Sequence, residues 1–437
     1  MQATMTLRTY VEKLGLRLRS GWHGAASRIQ DVPPIWWILI GFLIPYIRFF
    51  ILSVFFSGPR MDVLQLVVPI MTPIGADLRQ TMISVSRLFL EGSTPYLGNI
   101  PYPPLVYILL GPLLLFEIDK AYIVFSVVTL VAYVWQALIL PYRMARARTL
   151  STSLLLVFVS GMMSYGLLFE LERAQFNVIA GLLAYLAVWI FHSDRKHAVW
   201  AYVLFCISVH LKVFPLVFIV MFIDDWHDWK NNLRRLVLLG LANLAVGFIL
   251  GPGIFLDFVN ALKGRAGFPN TIRFDNHSAF SFASIASGAL AKRGLALDAG
   301  LLQYVLLAMI GLCVLVLIVK AYRRRTRGLN VPLFLVCALA AILLPPVSHD
   351  YTLPLLTAPV ALLLHNIEQQ HADGRRNLLL AAGILVFAAA YATVLIPLGY
   401  RPALFMLHNN FPELFTLLAI TTLVGWWWAP VQNGSGA

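Results

Sequence analysis

Residues 199–223 read VWAYVLFCISVHLKVFPLVFIVMFI, and Asp224-Asp225-Trp226-His227-Asp228-Trp229-Lys230 follow. By length this apolar run is one membrane crossing, since roughly 20 residues span the hydrocarbon core. Both flanks are nevertheless basic. His192, Arg195, Lys196 and His197 precede the run, and Lys230, Arg234 and Arg235 follow it. Cytoplasmic loops collect Lys and Arg, so a single straight crossing breaks the charge rule twice. Two short helices folded at His210-Leu211-Lys212-Val213-Phe214-Pro215 keep both flanks on one side. Pro215 lacks a backbone donor, which suits a break at that point. The expectation is a broken hairpin with Lys212 at its outer tip, a device common at membrane-protein sites.

The composition around this stretch agrees with a membrane body. The chain is 59% hydrophobic and 12% charged, with a mean hydropathy of +0.79. A soluble domain is about one quarter charged, so the fold class expected is an all-α polytopic membrane protein. The net charge of +13 sits in short runs between apolar spans, which is the positive-inside pattern and not a nucleic-acid face. Cys206, Cys313 and Cys337 lie in apolar segments without paired spacing and read as small hydrophobes. The first twenty residues are polar and basic, so no cleavable signal peptide is expected.

Charge and hydropathy order the remaining spans. Residues 1–34 hold Arg8, Lys13, Arg17, Arg19 and Arg28 among leucines, as a cytoplasmic interfacial segment would. The membrane domain is 35–430, and 431–437 is a tail. Trp36–Phe56 is the first span, which puts the loop 57–104 outside. Leu105–Phe116 is too short to cross and reads as a re-entrant or interfacial outer helix. Further spans are expected at Tyr122–Leu140, Leu150–Leu168, Val178–Ile190, Leu236–Gly251, Gly300–Val319, Val331–Leu344, Leu353–Leu364, Leu378–Ile396 and Leu414–Trp428, with a long outer loop over 252–296. The count is about twelve membrane helices, with both termini inside.

Candidate chemistry gathers at the outer ends. Gly75-Ala76-Asp77-Leu78-Arg79 heads an amphipathic stretch. Leu78, Met82, Val85 and Phe89 share one helical face, and Asp77, Gln80, Ser84, Arg87 and Glu91 the other, as in an interfacial helix. An ionisable residue at a membrane boundary is a site candidate. The outer set adds Tyr102, Glu170, Glu172, Arg173, Gln175, Asn177, Lys212, Arg265, Arg273, His349 and Asp350. Cations there suit a phosphate head group, and a carboxylate beside them suits general-base work. Each has a plainer reading. Asp77 caps a helix, Lys212 and His349 keep only their polar tips wet, and Glu170, Glu172 and Arg173 form a solvated turn. No HExxH, GxxxxGK[ST], GxSxG or Cys-His cluster occurs, so hydrolase, NTPase and zinc readings lack a motif.

The order Gly-Ala-Asp77, Tyr102-Pro-Pro-Leu105, Gln175-Phe-Asn177, Val209-His210-Leu-Lys212-Val-Phe-Pro215 and Ser348-His349-Asp-Tyr351 resembles the GT-C membrane glycosyltransferases, and among them glycosyltransferase family 87. The resemblance implies a polyprenyl-phosphate-mannose donor and a lipid-linked or glycolipid acceptor. It implies an active site on the outer side of the plasma or inner membrane. It makes Asp77 the catalytic base and His349 a second catalytic residue. Lys212 matches the family's lysine before proline, which makes it a donor-phosphate contact; Arg265, an outer cation without a motif, is read as a second, and Arg79, Tyr102, Glu172, Gln175, Asn177 and Asp350 as substrate-binding residues. Several GT-C members carry Asp-x-Asp and use a metal. Arg79 stands in the second place here, so no metal and no other cofactor is expected. A lipid-linked-sugar flippase or polymerase needs more polar residues along the membrane interior. A transporter needs paired broken helices in two related halves.

Overall fold

The computed structural model describes residues 74–97, 101–145, 150–162, 164–193, 195–266, 276–370 and 411–427. The expected segment 1–34, the spans Trp36–Phe56 and Leu378–Ile396, Arg273 and the tail 431–437 lie outside them. Among the described residues the structure is helical, with two isolated bridges, Asp225 to Arg327 and Asn276 to His349, in place of any strand.

Helix α1 (Ala76–Leu90) leads to α2 (Pro104–Leu110), which tightens into a 3-10 turn, Gly111–Leu115. Helix α3 (Ile118–Met144) contains a π turn, Trp135–Ile139. Then come α4 (Thr152–Met162), α5 (Tyr165–Arg173), α6 (Asn177–Ser193), α7 (Ala198–Leu211) and a 3-10 leg, Phe214–Phe222. Next are α8 (Trp229–Gly247), α9 (Pro252–Ala266), α10 (Ala279–Ala291) and α11 (Ala299–Arg323). Helix α12 (Val331–Leu343), a 3-10 segment (Asp350–Leu356), α13 (Thr357–Gln370) and α14 (Phe411–Trp427) complete the set.

Two of these, α3 and α11, are long and apolar enough to cross a membrane, and up to four crossings result if the bent pairs α4 with α5 and α8 with α9 each count as one. The other apolar helices among the described residues, such as α6, α7 and α12, are shorter. Their apolar faces still demand a non-aqueous surround. Leu301, Tyr304, Val305, Leu312 and Leu315 of α11 are all more than half exposed, a continuous apolar surface that lipid covers. The loop expected over 252–296 contains two helices. Helix α9 turns 101° from α8, and α10 starts where the Ser278 hydroxyl accepts from Ser281 N.

The run 199–223 is a hairpin. Helix α7 ends at Lys212, whose backbone is extended, and the chain returns as the 3-10 leg. At about 1.5 Å per α-helical residue and about 2 Å per 3-10 residue, both legs are roughly 20 Å long and reach the same depth. Their pairing fixes the direction. Ser208 Oγ donates to Ala180 O near the start of α6 at 2.6 Å, whereas His192 at its end bonds Met221 O at 2.8 Å. Phe222 packs on Phe191, Tyr202 and Phe205, so the end of the return leg lies beside the beginning of α7.

Helix α5 lies directly on the 3-10 segment Asp350–Leu356. A side chain at Gly166 would meet Asp350 O at 2.8 Å, so only glycine permits this approach. The segment includes Pro354, and buried neighbours take its carbonyls. Gln136 Nε2 from the π turn of α3 donates to Pro354 O at 2.8 Å, and Tyr185 OH to Leu355 O at 2.6 Å.

The hairpin makes a labelling prediction. With Cys206, Cys313 and Cys337 replaced, Val213→Cys and Ser193→Cys should react with a membrane-impermeant maleimide from opposite sides of the membrane. A straight span would leave position 213 unreactive from both.

Candidate functional site

Helix α1 begins at Gly75, not at Asp77. Gly75 is the N-cap with φ +74, and its N–H donates to Glu172 O at 2.7 Å. That conformation belongs to glycine, and a Cβ there would lie 2.7 Å from the Tyr122 ring. Asp77 is therefore the second residue of the helix, with its carboxylate free of capping duty. Leu78, Met82 and Val85 are buried as the periodicity requires. They pack against α2 and the turn Gly111–Leu115, so the stripe meets protein, while Phe89 is half exposed.

The second arm of the site is the end of α5. Gln175 N donates to Glu170 O at 3.0 Å and Ala174 N to Leu171 O at 3.1 Å, with Ala174 in the left-handed region at φ +52. This Schellman-type closure reverses the chain. It turns Arg173, last in the helix, and Gln175, just past the reversal, toward one carboxylate. Arg173 donates to Asp77 through Nη2 to Oδ1 at 2.5 Å and Nε to Oδ2 at 3.1 Å, a two-pronged pair. Gln175 Nε2 donates to the same Oδ2.

The third arm is the hairpin tip. Lys212 Nζ donates to Gln175 Oε1 at 2.6 Å and lies 4.6 Å above the Tyr102 ring. Tyr102 OH donates to Gln175 Oε1 at 3.2 Å. Burial in the turn Pro95–Leu97 raises the Tyr96 hydroxyl well above the usual phenol range, and it stays a donor to Tyr102 O at 2.7 Å. One Gln175 amide thus links Lys212 to Asp77. Asp77, Arg173, Gln175, Lys212 and Tyr102 form a single bonded group from three separate stretches of chain.

Other sequence candidates take places around this group. His349 lies 5.4 Å from the Tyr351 ring, centre to centre, and Lys212 Nζ lies 5.8 Å from that ring. Asp350 is buried and pairs with His277 Nε2 at 2.7 Å, so it faces the interior of its loop. His277 N donates to Ser348 O, and Asn276 binds Pro346 O and Ser348 N, which staples 276–278 to 346–350. Asn177 is buried and donates to Glu170 Oε2, while Val178 N donates to Glu170 Oε1. That carboxylate closes the start of α6. Arg79 bonds Ile74 O and the Asp119 carboxylate at the head of α3. The Glu172 backbone holds Gly75, and its carboxylate is half-buried beside Arg173. Of Arg265 only the backbone, in the last turn of α9, is described. Sequence reading left Arg173 among local ion pairs and assigned nothing to His277. The signal for Arg173 was its place at a helix end next to a chain reversal.

At the other end of α6 a cavity of about 1080 Å³ is lined by His192, Asp224, Asp225, Arg235 and Arg327. Its charges are mutually engaged, Arg235 with Asp224 at 3.1 Å and Arg327 with Asp225 at 3.3 Å. Among the described residues no three His, Cys, Asp or Glu side chains converge as metal ligands would.

A family model, glycosyltransferase family 87, matches residues 100–346, more than half of the chain. The match takes in Tyr102, Arg173, Gln175 and Lys212, and stops short of Asp77 on one side and His349 on the other. No curated protein and no solved structure matches.

Gly75 tests how tightly the site is built. Gly75→Ala adds a strained φ and a clash with Tyr122, and should cost roughly 1–3 kcal/mol in a thermal or denaturant melt. A melt equal to wild type would show that the close approach to Tyr122 does not hold α1 in place.

Proposed function

Because the chain belongs to glycosyltransferase family 87, we propose that it moves a hexose from a polyprenyl-phosphate sugar to a lipid-linked or glycolipid acceptor. The resemblance favours mannose. The reaction is assigned to the outer face of the plasma or inner membrane, on a GT-C scaffold of about twelve membrane helices. The observation that supports this reading is the bonded group itself. A helix-borne carboxylate, Asp77, shares an outer-end cluster with two cations, Arg173 and Lys212, and no cap role competes for it.

In this reading Asp77 takes the proton of the acceptor hydroxyl. The hydroxyl oxygen attacks the anomeric carbon, and the bond from that carbon to the phosphate oxygen breaks, with inversion. Lys212, with Arg265 from α9, meets the charge that grows on the leaving phosphate. Tyr102 and Gln175 line the sugar and donor side, and His349 acts from the far side of Tyr351. Arg79, Glu172, Asn177 and Asp350 serve the substrate by fixing the chain that carries these groups. A metal bound between two aspartates has no second carboxylate here, since Arg79 stands in that place and goes to Asp119.

Transfer from synthetic polyprenyl-phosphate-mannose by the purified protein is the direct assay. Asp77→Asn is nearly isosteric and leaves the Gly75 cap intact. It should keep wild-type melting and lower transfer by at least about 100-fold, the lower range for general-base catalysis. A folded Asn variant with near-wild-type transfer would end the assignment. Lys212→Ala should weaken donor affinity about ten- to hundredfold, as expected for a charged hydrogen bond. Unchanged affinity would remove Lys212 from the phosphate site.

A further inference from the structure

Asp77 Oδ2 accepts from Arg173 Nε and from Gln175 Nε2, and Oδ1 accepts from Arg173 Nη2. Each carboxylate oxygen offers about two acceptor positions, so Oδ1 retains the open one. An acceptor hydroxyl approaching Asp77 comes to Oδ1. Once the proton is there, the carboxyl is neutral and one of its oxygens has become a donor. It no longer matches a cationic fork of two parallel N–H groups. The transfer step therefore weakens the hold of Asp77 on the Arg173 guanidinium.

The same step creates a new partner. The hydroxyl proton moves to Asp77, and the acceptor oxygen bonds to the anomeric carbon. The bond from that carbon to the phosphate oxygen breaks, with its electron pair going to the phosphate. A phosphodiester of charge −1 becomes a monoester of charge about −2. Asp77 loses one negative charge as the phosphate gains one. Glu170 is held by Asn177 and Val178 N, and Glu172 lies beside Arg173, so Asp77 is the carboxylate that the proposed step protonates. Lys212, the cation placed for the donor phosphate, is one Gln175 amide away from Asp77. Lys212, Gln175, Asp77 and Arg173 thus form one bonded chain, and a phosphate at Lys212 joins the group to which Arg173 belongs.

We infer that Arg173 changes partner during the reaction, passing from the Asp77 carboxylate to the leaving phosphate as the proton arrives on Asp77. This rests on the polyprenyl-phosphate reading given above. It makes Arg173 a group that holds the base in place at rest and stabilises the leaving group at the end. Carboxylate and phosphate compete for one guanidinium, so the charge separation at the transition state meets a cation already present.

The competition is measured by binding of polyprenyl phosphate, without sugar, to purified protein in detergent. Wild type, Asp77→Asn, Arg173→Gln and the double variant complete a cycle. All four are compared after matching their melting, with Arg173→Met replacing the glutamine variant if that one fails to fold. Asp77→Asn releases Arg173 and should tighten binding about tenfold, the scale of one charge-assisted hydrogen bond. In the Arg173→Gln background the same change should shift affinity by less than about twofold. An equal gain in both backgrounds would mean simple relief of repulsion and would overturn the exchange, as would no gain in Asp77→Asn. A wild type that does not bind polyprenyl phosphate at all would overturn the donor reading along with it.

Discussion

Irregular backbone survives inside an apolar body only where side chains answer its carbonyls. Each unanswered group costs several kcal/mol when no water reaches it. The chain from Pro346 to Leu356 is such a piece. Gln136 and Thr357 serve Pro354 O, Tyr185 serves Leu355 O, and Asn276 and Ser278 serve Pro346 O. These donors come from α3, α6, α13 and the start of α10, so one non-helical segment ties four separate parts of the bundle together. The π turn in α3 carries Gln136, and such turns often mark places where a helix has a second duty. Freed from helical geometry, the segment carries His349 and Tyr351 to the level of Asp77.

The polar group at that level depends on partial burial. Side-chain exposure is 26% for Arg173 and 14% for Asp77, against 66% and 77% for Lys120 and Glu117 at the head of α3. The Lys120 pair is an ordinary surface contact of about 0.5 kcal/mol or less. At the Asp77 pair both side chains are mostly covered, so each charge relies on its partner and on Gln175 more than on water. The arrangement is thus rigid while both partners are charged and loosens when either is neutralised.

Much of this was legible residue by residue. Pro215 and the basic flanks announced the break at Lys212, and Leu78, Met82 and Val85 announced the buried face of α1. Asp77, Tyr102, Gln175 and Lys212 all stand out along the chain, and the fold brings them into one bonded group. The partner of Arg173 did not show, because 96 positions separate it from Asp77 and its place at a helix end does not say which carboxylate it meets. Asp77 looked like a cap because residue type alone does not reveal that Gly75 sits at φ +74 against Tyr122. The stretch 252–296 looked like a loop because its helices are short and the cap of α10, Ser278, is also an ordinary loop residue. Composition also does not show that, among the described residues, several apolar helices are only 10–17 residues long.

The hairpin of α7 and its 3-10 return leg also bears on how the protein is made. Neither leg of this segment is long enough to cross a bilayer alone, so neither can serve as a stop-transfer helix during insertion. Its polar groups find their partners on α6, where Ala180 O receives Ser208 and His192 reaches Met221 O. Helix α6 leaves the ribosome first and offers these partners when the hairpin emerges. Synthesis order and packing order therefore coincide, and α6 acts as the template on which the Lys212 tip is laid down.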